Sequence, residues 1–439
     1  MSLVEKVRLA GVVGAGGGGF PSHVKLAAKA DTVIANGAEC EPLLHKDAAV
    51  MQYMSEQLVR GMELSMDAVG AKEGVIGIKA KKKHAVEAVE AACKGTRVRV
   101  HLLGDYYPAG DEYDLVYSVT GKLIPPAGIP IHVGVIVQNV ETLVNIANAA
   151  DGKPVTHKTL TIAGAVREPI TLTVPLGVTF RQCIEAAGGT TADKPVLCLG
   201  GLLMGETTDD LDLPITKTST GVVVLPHDHH IIERKLRKPT DQAKIGKSAC
   251  DQCRYCTEFC PRYLLGYQIE PHQVMRTLAF SGTGADRFNE WAALCCSCGL
   301  CTLYACPEEL YPKEACDDSK AVLRKQNFKW TGKTDIKPHP MRDGRLVPIQ
   351  SLMKKMHVDG YDNPAPMVTR EISSKVLILP LKQGAGGPTK PTVKVGDTVQ
   401  AGQIISEPLP NALGGIIHAP VAATVSAITS DRITLAKKS

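Results

Sequence analysis

Cysteines are concentrated in one stretch of the chain. Nine of the fourteen lie between Cys250 and Cys306. The first half of this stretch has the spacing C-x2-C-x2-C-x3-C-P, in which thiolates bind the irons of [4Fe–4S] clusters. A tight loop offers three thiolates to one cluster, and the fourth, before a proline, usually binds the other cluster. The spacing therefore predicts two clusters. The two ligand sets are Cys250, Cys253, Cys256 and Cys306, and Cys295, Cys298, Cys301 and Cys260.

The second half of the stretch departs from this spacing. Four residues separate Cys301 from Cys306 where three are usual, so one extra residue must be absorbed before Pro307. Structural zinc also takes four thiolates and is an alternative, although zinc sites usually combine two C-x2-C pairs. Cys296 is not an expected ligand because it neighbours Cys295. The remaining cysteines are interpreted as buried or inactive thiols: Cys40, Cys93, Cys183, Cys198 and Cys316.

Composition limits the classes of function. A chain of 439 residues with 44% apolar residues can hold three or four domains, each with its own core. A net charge of +5 and an aromatic content of 4% argue against nucleic-acid binding. We expect no transmembrane segment and no signal peptide, because no apolar run has the required length or position. The many cysteines fit metal ligation in a reducing cytoplasm better than disulfides.

A glycine-rich loop near the N-terminus predicts a ligand site. Gly16, Gly17, Gly18 and Gly19 are consecutive, and without Cβ atoms their N–H groups can approach a phosphate or a flat ring. Lys25 follows about one helical turn later and could add a positive charge. A flexible surface loop is the alternative interpretation.

A short buried strand follows and ends in polar residues. The strand covers residues 31–36, and Asn36, Glu39 and Glu41 lie at or just after its end. Open α/β sheets bind ligands at the carboxyl ends of their strands. The two carboxylates could accept hydrogen bonds from ribityl or ribose hydroxyls.

Four motifs in this region together resemble one family. They are the glycine loop ending in Gly-Phe-Pro, Asn-x-x-Glu-x-Glu-Pro at residues 36–42 with Lys-Asp at 46–47, Tyr-Pro-x-Gly-x-Glu at 107–112, and Asn-Val-Glu-Thr-Leu at 139–143. In this order they resemble the FMN- and NADH-binding subunit of respiratory complex I and the C subunit of the Rnf electron-transport complex.

The resemblance implies which positions surround the cofactors. It assigns to flavin binding or its surroundings Gly16 to Gly19, Lys25, Asn36, Glu41, Glu112, Asn139 and Thr142. Phe20 falls where the family stacks NADH rings, and Glu39 joins the set as a hydroxyl acceptor. One position departs from the family's motif, because Ala38 stands where complex I flavoproteins carry an aspartate.

The rest of the chain resembles three further modules. Alternating strands and one helix at 158–215 resemble the ubiquitin-like SLBB domain, and the repeats at 392–425 resemble the barrel-sandwich hybrid of biotinyl and lipoyl domains. The hairpin that carries a modified lysine in those domains reads Leu-Pro-Asn-Ala here, so no biotin or lipoate is expected. The histidines of residues 227–230 are expected in a solvated loop. They fail the corrinoid-binding pattern Asp-x-His-x-x-Gly because Glu233 takes the glycine position.

We therefore predict a multidomain protein of α/β and α+β units. The predicted units are a Rossmann-like FMN/NADH domain at 1–150, an SLBB domain at 155–225, a ferredoxin-like two-cluster domain at 240–326, a linker at 327–372, and a barrel-sandwich hybrid at 373–439. Residues 266–291 should form a helical connection between the cysteine runs.

These units predict an electron path from NADH to an acceptor. NADH delivers two electrons together and a cluster accepts one at a time, so a flavin between them must divide the pair. No catalytic residues are needed beyond the cofactors, and no Ser/His/Asp or Cys/His nucleophile stands out. The C-terminal position of the barrel-sandwich module resembles the cobalamin reductases of propanediol-utilisation microcompartments.

The second resemblance implies an acceptor and partners. It implies NADH-dependent reduction of cob(III)alamin and cob(II)alamin to cob(I)alamin for an adenosyltransferase, in a cytoplasmic microcompartment with shell proteins as neighbours. One alternative is a peripheral Rnf-like subunit of a membrane complex. Another is a non-catalytic scaffold whose clusters only stabilise an assembly.

Overall fold

The N-terminal unit is built on a parallel sheet. The computed structural model describes residues 1–279, 289–372 and 374–437. Strands run in the order β3-β2-β1-β5, all parallel. The strands of this unit are β1 (Thr32–Gly37), β2 (Glu73–Lys79), β3 (Val98–Leu103), the short β4 (Tyr106–Tyr107) and β5 (Val135–Asn139). Its helices are α1 (Leu3–Leu9), α2 (Ser22–Leu26), α3 (Lys46–Tyr53), α4 (Ser55–Val69), α5 (Lys83–Cys93), α6 (Glu112–Thr120) and α7 (Val140–Ala150).

The strand order sets where a ligand can bind. The order of the strands reverses beside β1, between β2 on one side and β5 on the other. A crevice opens at such a switch point, outside the carboxyl ends of the strands. β1 ends at Gly37 and β5 ends at Asn139, so the motifs that follow them meet at this edge.

The second unit is a mixed sheet with one helix. The sheet has the order β7-β6-β10-β8-β9, in which only the β6–β10 pair is parallel. Thr179 begins the helix with a capping box, in which its hydroxyl and the Gln182 side chain satisfy each other's backbone N–H groups. The elements are β6 (His157–Gly164), β7 (Ile170–Pro175), α8 (Phe180–Ala186), β8 (Pro195–Leu199), β9 (Glu206–Thr208) and β10 (Gly221–Pro226).

Short helices frame the cysteine loops of the third unit. They are α9 (His230–Leu236), α10 (Pro239–Ala249), α11 (Tyr255–Glu258), α12 (Pro261–Leu264), α13 (Pro271–Thr277) and α14 (Pro312–Lys325). A π-helical turn at Cys301–Ala305 takes up the extra residue before Cys306, since a π turn holds one residue more than an α turn. The predicted helical connection at 266–291 includes α13, and its residues 280–288 lie outside the described residues.

The segment that composition marks as a linker is partly folded. β11 (Val347–Pro348) pairs antiparallel with β4, and α15 (Ile349–Lys355) follows directly. Leu352, Met353 and Met356 are buried in one cluster with residues of the first three units. Apolar burial explains the difference, because these side chains lose water-exposed surface only by docking.

Two small sheets form the C-terminal unit. The first has the order β12-β18-β17-β14 and the second β13-β15-β16. Their strands are β12 (Val376–Pro380), β13 (Lys390–Pro391), β14 (Thr398–Val399), β15 (Ile404–Glu407), β16 (Ile417–His418), β17 (Ala423–Ile428) and β18 (Arg432–Lys437). Buried residues of this unit and of the second unit share one hydrophobic core. The two units are therefore packed together and not merely tethered.

Among the described residues, no helix combines the length and the apolar character that crossing a bilayer requires.

Candidate functional site

A cavity of about 420 Å³ opens at the carboxyl ends of β1 and β5. This volume lies within the range of small-molecule and cofactor sites. The predicted residues that line it are Gly16, Gly18, Gly19, Phe20, Lys25, Asn36, Glu39, Glu41, Glu112 and Asn139. The structure thus brings most of the predicted flavin residues to one place. Gly17 and Thr142 do not line the cavity.

The glycine loop is shaped to leave space for a ligand. A Cβ added at Gly17 or Gly18 would meet no atom of the described residues within 4 Å. Gly17 has φ +112° and Gly19 has φ +63°, values that favour glycine. Backbone that stays this open can bring its N–H groups close to a phosphate or a ring edge. The loop therefore fits the flavin phosphate or isoalloxazine that the sequence predicts.

Contacts behind the loop hold it in position. The Thr142 hydroxyl accepts a hydrogen bond from the Ala15 N–H at 2.9 Å, and Thr142 is fully buried. The Ala15 carbonyl accepts a hydrogen bond from the Lys158 ammonium at 2.7 Å. Thr142 therefore holds the loop in position through this buried hydrogen bond and does not line the cavity.

A buried charge network supports these contacts, and the sequence reasoning missed it. Glu141 accepts hydrogen bonds from Lys46 at 3.1 Å, from the Thr159 N–H at 2.9 Å, and from Lys158. Lys46 also pairs with Asp47 at 2.7 Å. The two lysines are almost fully buried, and burial lowers the pKa of Lys158 to about 8. The network could have been anticipated, because Lys46, Asp47 and Glu141 all lie within the family motifs at residues 46–47 and 139–143.

The two predicted acceptor carboxylates have different surroundings. Glu41 accepts hydrogen bonds from the N–H groups of Leu203 and Met204 at 3.0 and 2.8 Å, so it ties the cavity to the second unit. Glu39 accepts one hydrogen bond from the Asp47 N–H at 3.1 Å. Burial, and then repulsion by Asp47, raise the pKa of Glu39 to about 7. Glu39 keeps more acceptor capacity for a ligand than Glu41 does.

Two amides complete the polar wall. Asn36 donates to the Gly110 carbonyl at 2.9 Å, and Asn139 donates to the Asp47 carboxylate at 2.9 Å. The sequence reasoning missed Gln138, which is also among the residues that line this cavity. Within the described part of the chain, the Nε2 atom of Gln138 is buried without a hydrogen-bond partner. A buried donor costs free energy unless it is paired, so this atom fits a ligand acceptor.

The rim of the cavity leads into a second, more apolar one. The Lys25 ammonium donates to the Val137 carbonyl at 2.9 Å and lies 3.6 Å from the Glu112 carboxylate. Together with Phe20 these residues also line a neighbouring cavity of about 370 Å³. The remaining lining of that cavity includes Val24 and Ile131. A ligand with an additional ring could extend from one cavity into the other.

The cysteines gather in the two predicted sets. One small cavity is lined by Cys250, Cys253, Cys256 and Cys306. The other is lined by Cys260, Cys295, Cys296, Cys298 and Cys301. We call the predicted ligand sets the first quartet (Cys250, Cys253, Cys256, Cys306) and the second quartet (Cys260, Cys295, Cys298, Cys301).

Backbone geometry around the quartets fits cluster binding. Gln252, Arg254 and Ser297 lie between cysteines and have φ values of +60°, +71° and +58°. Left-handed backbone at such residues costs free energy and concentrates at functional sites. These turns wrap the loops around the thiols. Backbone N–H groups then donate to sulfur, as from Ser297 to Cys295 at 3.3 Å.

The second quartet adjoins the 420 Å³ cavity, and the first adjoins the surface. Cys296 and Cys298 both line the 420 Å³ cavity, and the Tyr107 hydroxyl donates to the Cys298 carbonyl at 2.5 Å. Arg262 pairs with Asp111 at 2.7 Å across the same interface. In contrast, Cys253 of the first quartet is exposed.

Two cysteines outside the quartets contact predicted ligands. The fully buried Cys316 thiol packs against Cys295 and is the main cause that lowers the pKa of Cys295 to about 7. Cys296 packs in the same cluster as Cys298 and lines the same small cavity. The sequence analysis interprets Cys316 as a buried or inactive thiol; the thiol is buried, and the structure adds that it lies against a predicted ligand.

Four family models match the chain in order. They are the Nuo51 FMN-binding domain at residues 7–148, the SLBB domain at 159–206, the 4Fe-4S dicluster domain at 249–311 and the RnfC barrel sandwich hybrid domain at 363–439.

Curated relatives match over most or all of the chain. The cobalamin reductase PduS of Salmonella typhimurium is 40% identical over 434 residues, which cover 99% of this chain and 96% of that protein. Its counterpart in Citrobacter freundii is 38% identical over the same shares. The C subunit of the proton-translocating ferredoxin:NAD(+) oxidoreductase complex of Clostridium ljungdahlii is 37% identical over 264 residues, which cover 59% of this chain and 55% of that protein.

Proposed function

Because the chain belongs to the cobalamin reductase PduS family, we propose that it transfers electrons from NADH to cobalamin. FMN and two [4Fe–4S] clusters would be its cofactors, and cob(III)alamin and cob(II)alamin would be reduced to cob(I)alamin. The stoichiometry balances, because NADH gives a hydride and becomes NAD⁺, while cob(III)alamin gains two electrons and the proton goes to water. The observation that carries the proposal is the contact of the flavin cavity with Cys296 and Cys298.

The cavity supports FMN as the first acceptor. The open backbone of Gly18, the amide of Gln138 and the acceptor capacity of Glu39 would hold it. A bound flavin accepts a hydride and releases its electrons singly. Phe20, which borders the neighbouring apolar cavity, is placed to contact a dinucleotide ring there.

The positions of the quartets support electron transfer from the flavin cavity through the second quartet to the first. The second quartet lies beside the flavin cavity, and the first has an exposed cysteine at the surface. An acceptor too large for the cavity can approach the first quartet from solvent. Cobalamin, a bulky corrinoid, is such an acceptor.

The length of the match favours cobalamin over a membrane acceptor. The PduS relatives align with 99% of the chain, whereas the C subunit from Clostridium ljungdahlii aligns with 59%. We therefore also propose a cob(I)alamin adenosyltransferase as the consumer of the product, and a microcompartment with shell proteins, in the cytoplasm, as the setting.

The test measures cob(I)alamin as adenosylcobalamin, the stable product that an adenosyltransferase forms from it. Anaerobic mixtures would contain NADH, hydroxocobalamin, ATP and an adenosyltransferase, with or without this protein, and adenosylcobalamin would be measured. We expect formation that requires the protein. Cys253→Ala should abolish it and leave NADH oxidation by ferricyanide intact, while Cys93→Ala, far in sequence from both quartets, should behave as wild type. Intact NADH oxidation without any adenosylcobalamin from the wild type would refute cobalamin as the acceptor.

A further inference from the structure

The C-terminal unit contacts the glycine loop directly. The Ala385 N–H donates to the Gly18 carbonyl at 3.2 Å. Gly384 has φ +98°, and a Cβ placed there would lie 2.5 Å from the Gly19 Cα. The loop at 383–387 therefore packs directly against the glycine loop, and its residues are not among those that line the cavity. No side chain fits between the two backbones.

A buried lysine joins three units beside this contact. Lys217, from the second unit, is 2% exposed. Its ammonium donates to the Gly11 carbonyl at 2.7 Å and to the Ile416 carbonyl at 2.5 Å. Its backbone N–H donates to the Gln383 side chain at 3.1 Å. One residue thus links the start of the glycine-rich segment to the C-terminal unit.

The chemistry of Lys217 indicates a positioning role. A buried ammonium is costly unless it is paired and hydrogen-bonded. This one forms no ion pair with any residue in the described ranges, and burial lowers its pKa to about 7. Its hydrogen bonds to two carbonyls of different units offset part of that cost. An apolar side chain of similar length would avoid the cost and lose the link.

From these contacts we infer that the C-terminal unit is the outer support of the flavin loop, with Lys217 and Gly384 as its positioning residues. The unit then serves flavin retention, a role separate from docking or from carrying a modified lysine. Loss of the support frees the Gly16–Gly19 backbone to move, and ordering it again on binding costs conformational entropy. The flavin should then dissociate faster. The inference rests on FMN as the ligand of the cavity and is independent of cobalamin as the acceptor.

The test compares two glycines of the same loop. Gly384→Ala inserts a methyl group against Gly19, whereas the methyl group of Gly387→Ala would meet no atom within 4 Å among the residues that the structure describes, and Gly387 has no positive φ. FMN binding to the flavin-depleted chain would be measured by the fluorescence of the free flavin. We expect Gly384→Ala to weaken FMN at least about tenfold, which is about 1.4 kcal/mol, mainly through faster dissociation. Gly387→Ala should stay within about twofold of wild type.

Hydrogen exchange distinguishes a local loss of order in the glycine loop from a general loss of stability. In Gly384→Ala, exchange should rise at residues 14–20 and stay unchanged in β17 and β18. Lys217→Met, which removes the link without adding bulk, should also weaken FMN and raise exchange at 14–20. If Gly384→Ala unfolds the C-terminal unit, the FMN affinity of Lys217→Met alone tests the inference. FMN affinity within about twofold of wild type in Lys217→Met would overturn the inference, whether or not cobalamin is reduced.

Discussion

Glu141 lies between two buried ammonium groups, so its charge should be essential for stability. It contacts Lys46 and Lys158, which are 0% and 1% exposed, and is itself 4% exposed. Glu141→Gln keeps the shape of the side chain and removes the charge. The two lysines would then face each other with Asp47 as the close counter-ion that remains.

The magnitude follows from the burial of the network. Breaking a buried ion pair by removing one partner costs about 3–5 kcal/mol, because a charge stays buried and unpaired. We expect Glu141→Gln to lie in this range. Lys158→Met should also destabilise, and the double variant should recover about 1–3 kcal/mol of the sum, as contacting residues do. Glu168→Gln is the control, since Glu168 pairs with Arg370 at the surface, where such pairs contribute about 0–1 kcal/mol.

Native-state hydrogen exchange of the flavin-free chain would measure these changes. Amides of β1, β5 and α7 report the opening of the unit that contains Glu141, without linkage to FMN. A Glu141→Gln loss below about 1 kcal/mol, or strictly additive losses in the double variant, would refute the reasoning. The lysines would then be stabilised by something other than this carboxylate.

Four further predictions concern the cofactor sites. Gly18→Ala should weaken FMN at least about tenfold without lowering the melting temperature of the flavin-free chain, since its Cβ meets only the cavity, whereas Gly344→Ala, equally open but remote, should bind FMN normally in the same fluorescence titration. FMN affinity should fall as pH rises through about 7, because Glu39, protonated below that pH, then faces an anionic ligand; Glu39→Gln should remove this component of the pH profile, and an unchanged profile would contradict the assignment. Because of the same raised pKa, Glu39 ionises at a lower pH in the unfolded chain than in the folded chain. The free energy of unfolding of the flavin-free chain should therefore fall as the pH rises from about 4.5 to 7. Cys316→Ala should make the cluster of the second quartet harder to reduce, since the polar thiol that packs against the Cys295 sulfur and favours its thiolate is lost; an EPR-monitored redox titration would measure the shift against the first quartet, whose potential should stay constant.

The sequence predicts the units and the cysteine sets because both depend on local spacing. Three of each four thiols come from one tight loop, so C-x2-C-x2-C spacing nearly determines their arrangement. The glycine loop and the strand-end carboxylates are also local signals, and the structure brings them to one cavity.

The contacts between units could not be predicted in the same way. Glu41 has the appearance of a ligand acceptor in sequence, yet its oxygens bind N–H groups that lie 162 and 163 residues away. The environment of Lys217 depends on three chain segments that carry no shared pattern. Segment 327–372 has the composition of a linker, although Leu352 and Met356 are buried against other units.

Three units line the proposed flavin cavity and the C-terminal unit contacts its glycine loop, so cofactor binding is coupled to the docking of the units. Its polar wall comes from the parallel sheet, Glu41 is held by the second unit, Cys298 belongs to the cluster unit, and the C-terminal unit braces the glycine loop. A ligand that binds only the docked arrangement stabilises it by about 2.7 kcal/mol when its concentration is a hundredfold above Kd. The same coupling runs in reverse, so any change that loosens a docking contact must appear as weaker flavin binding. Flavin retention is therefore a measure of whether the parallel-sheet unit and the quartets stand in the arrangement that electron transfer needs.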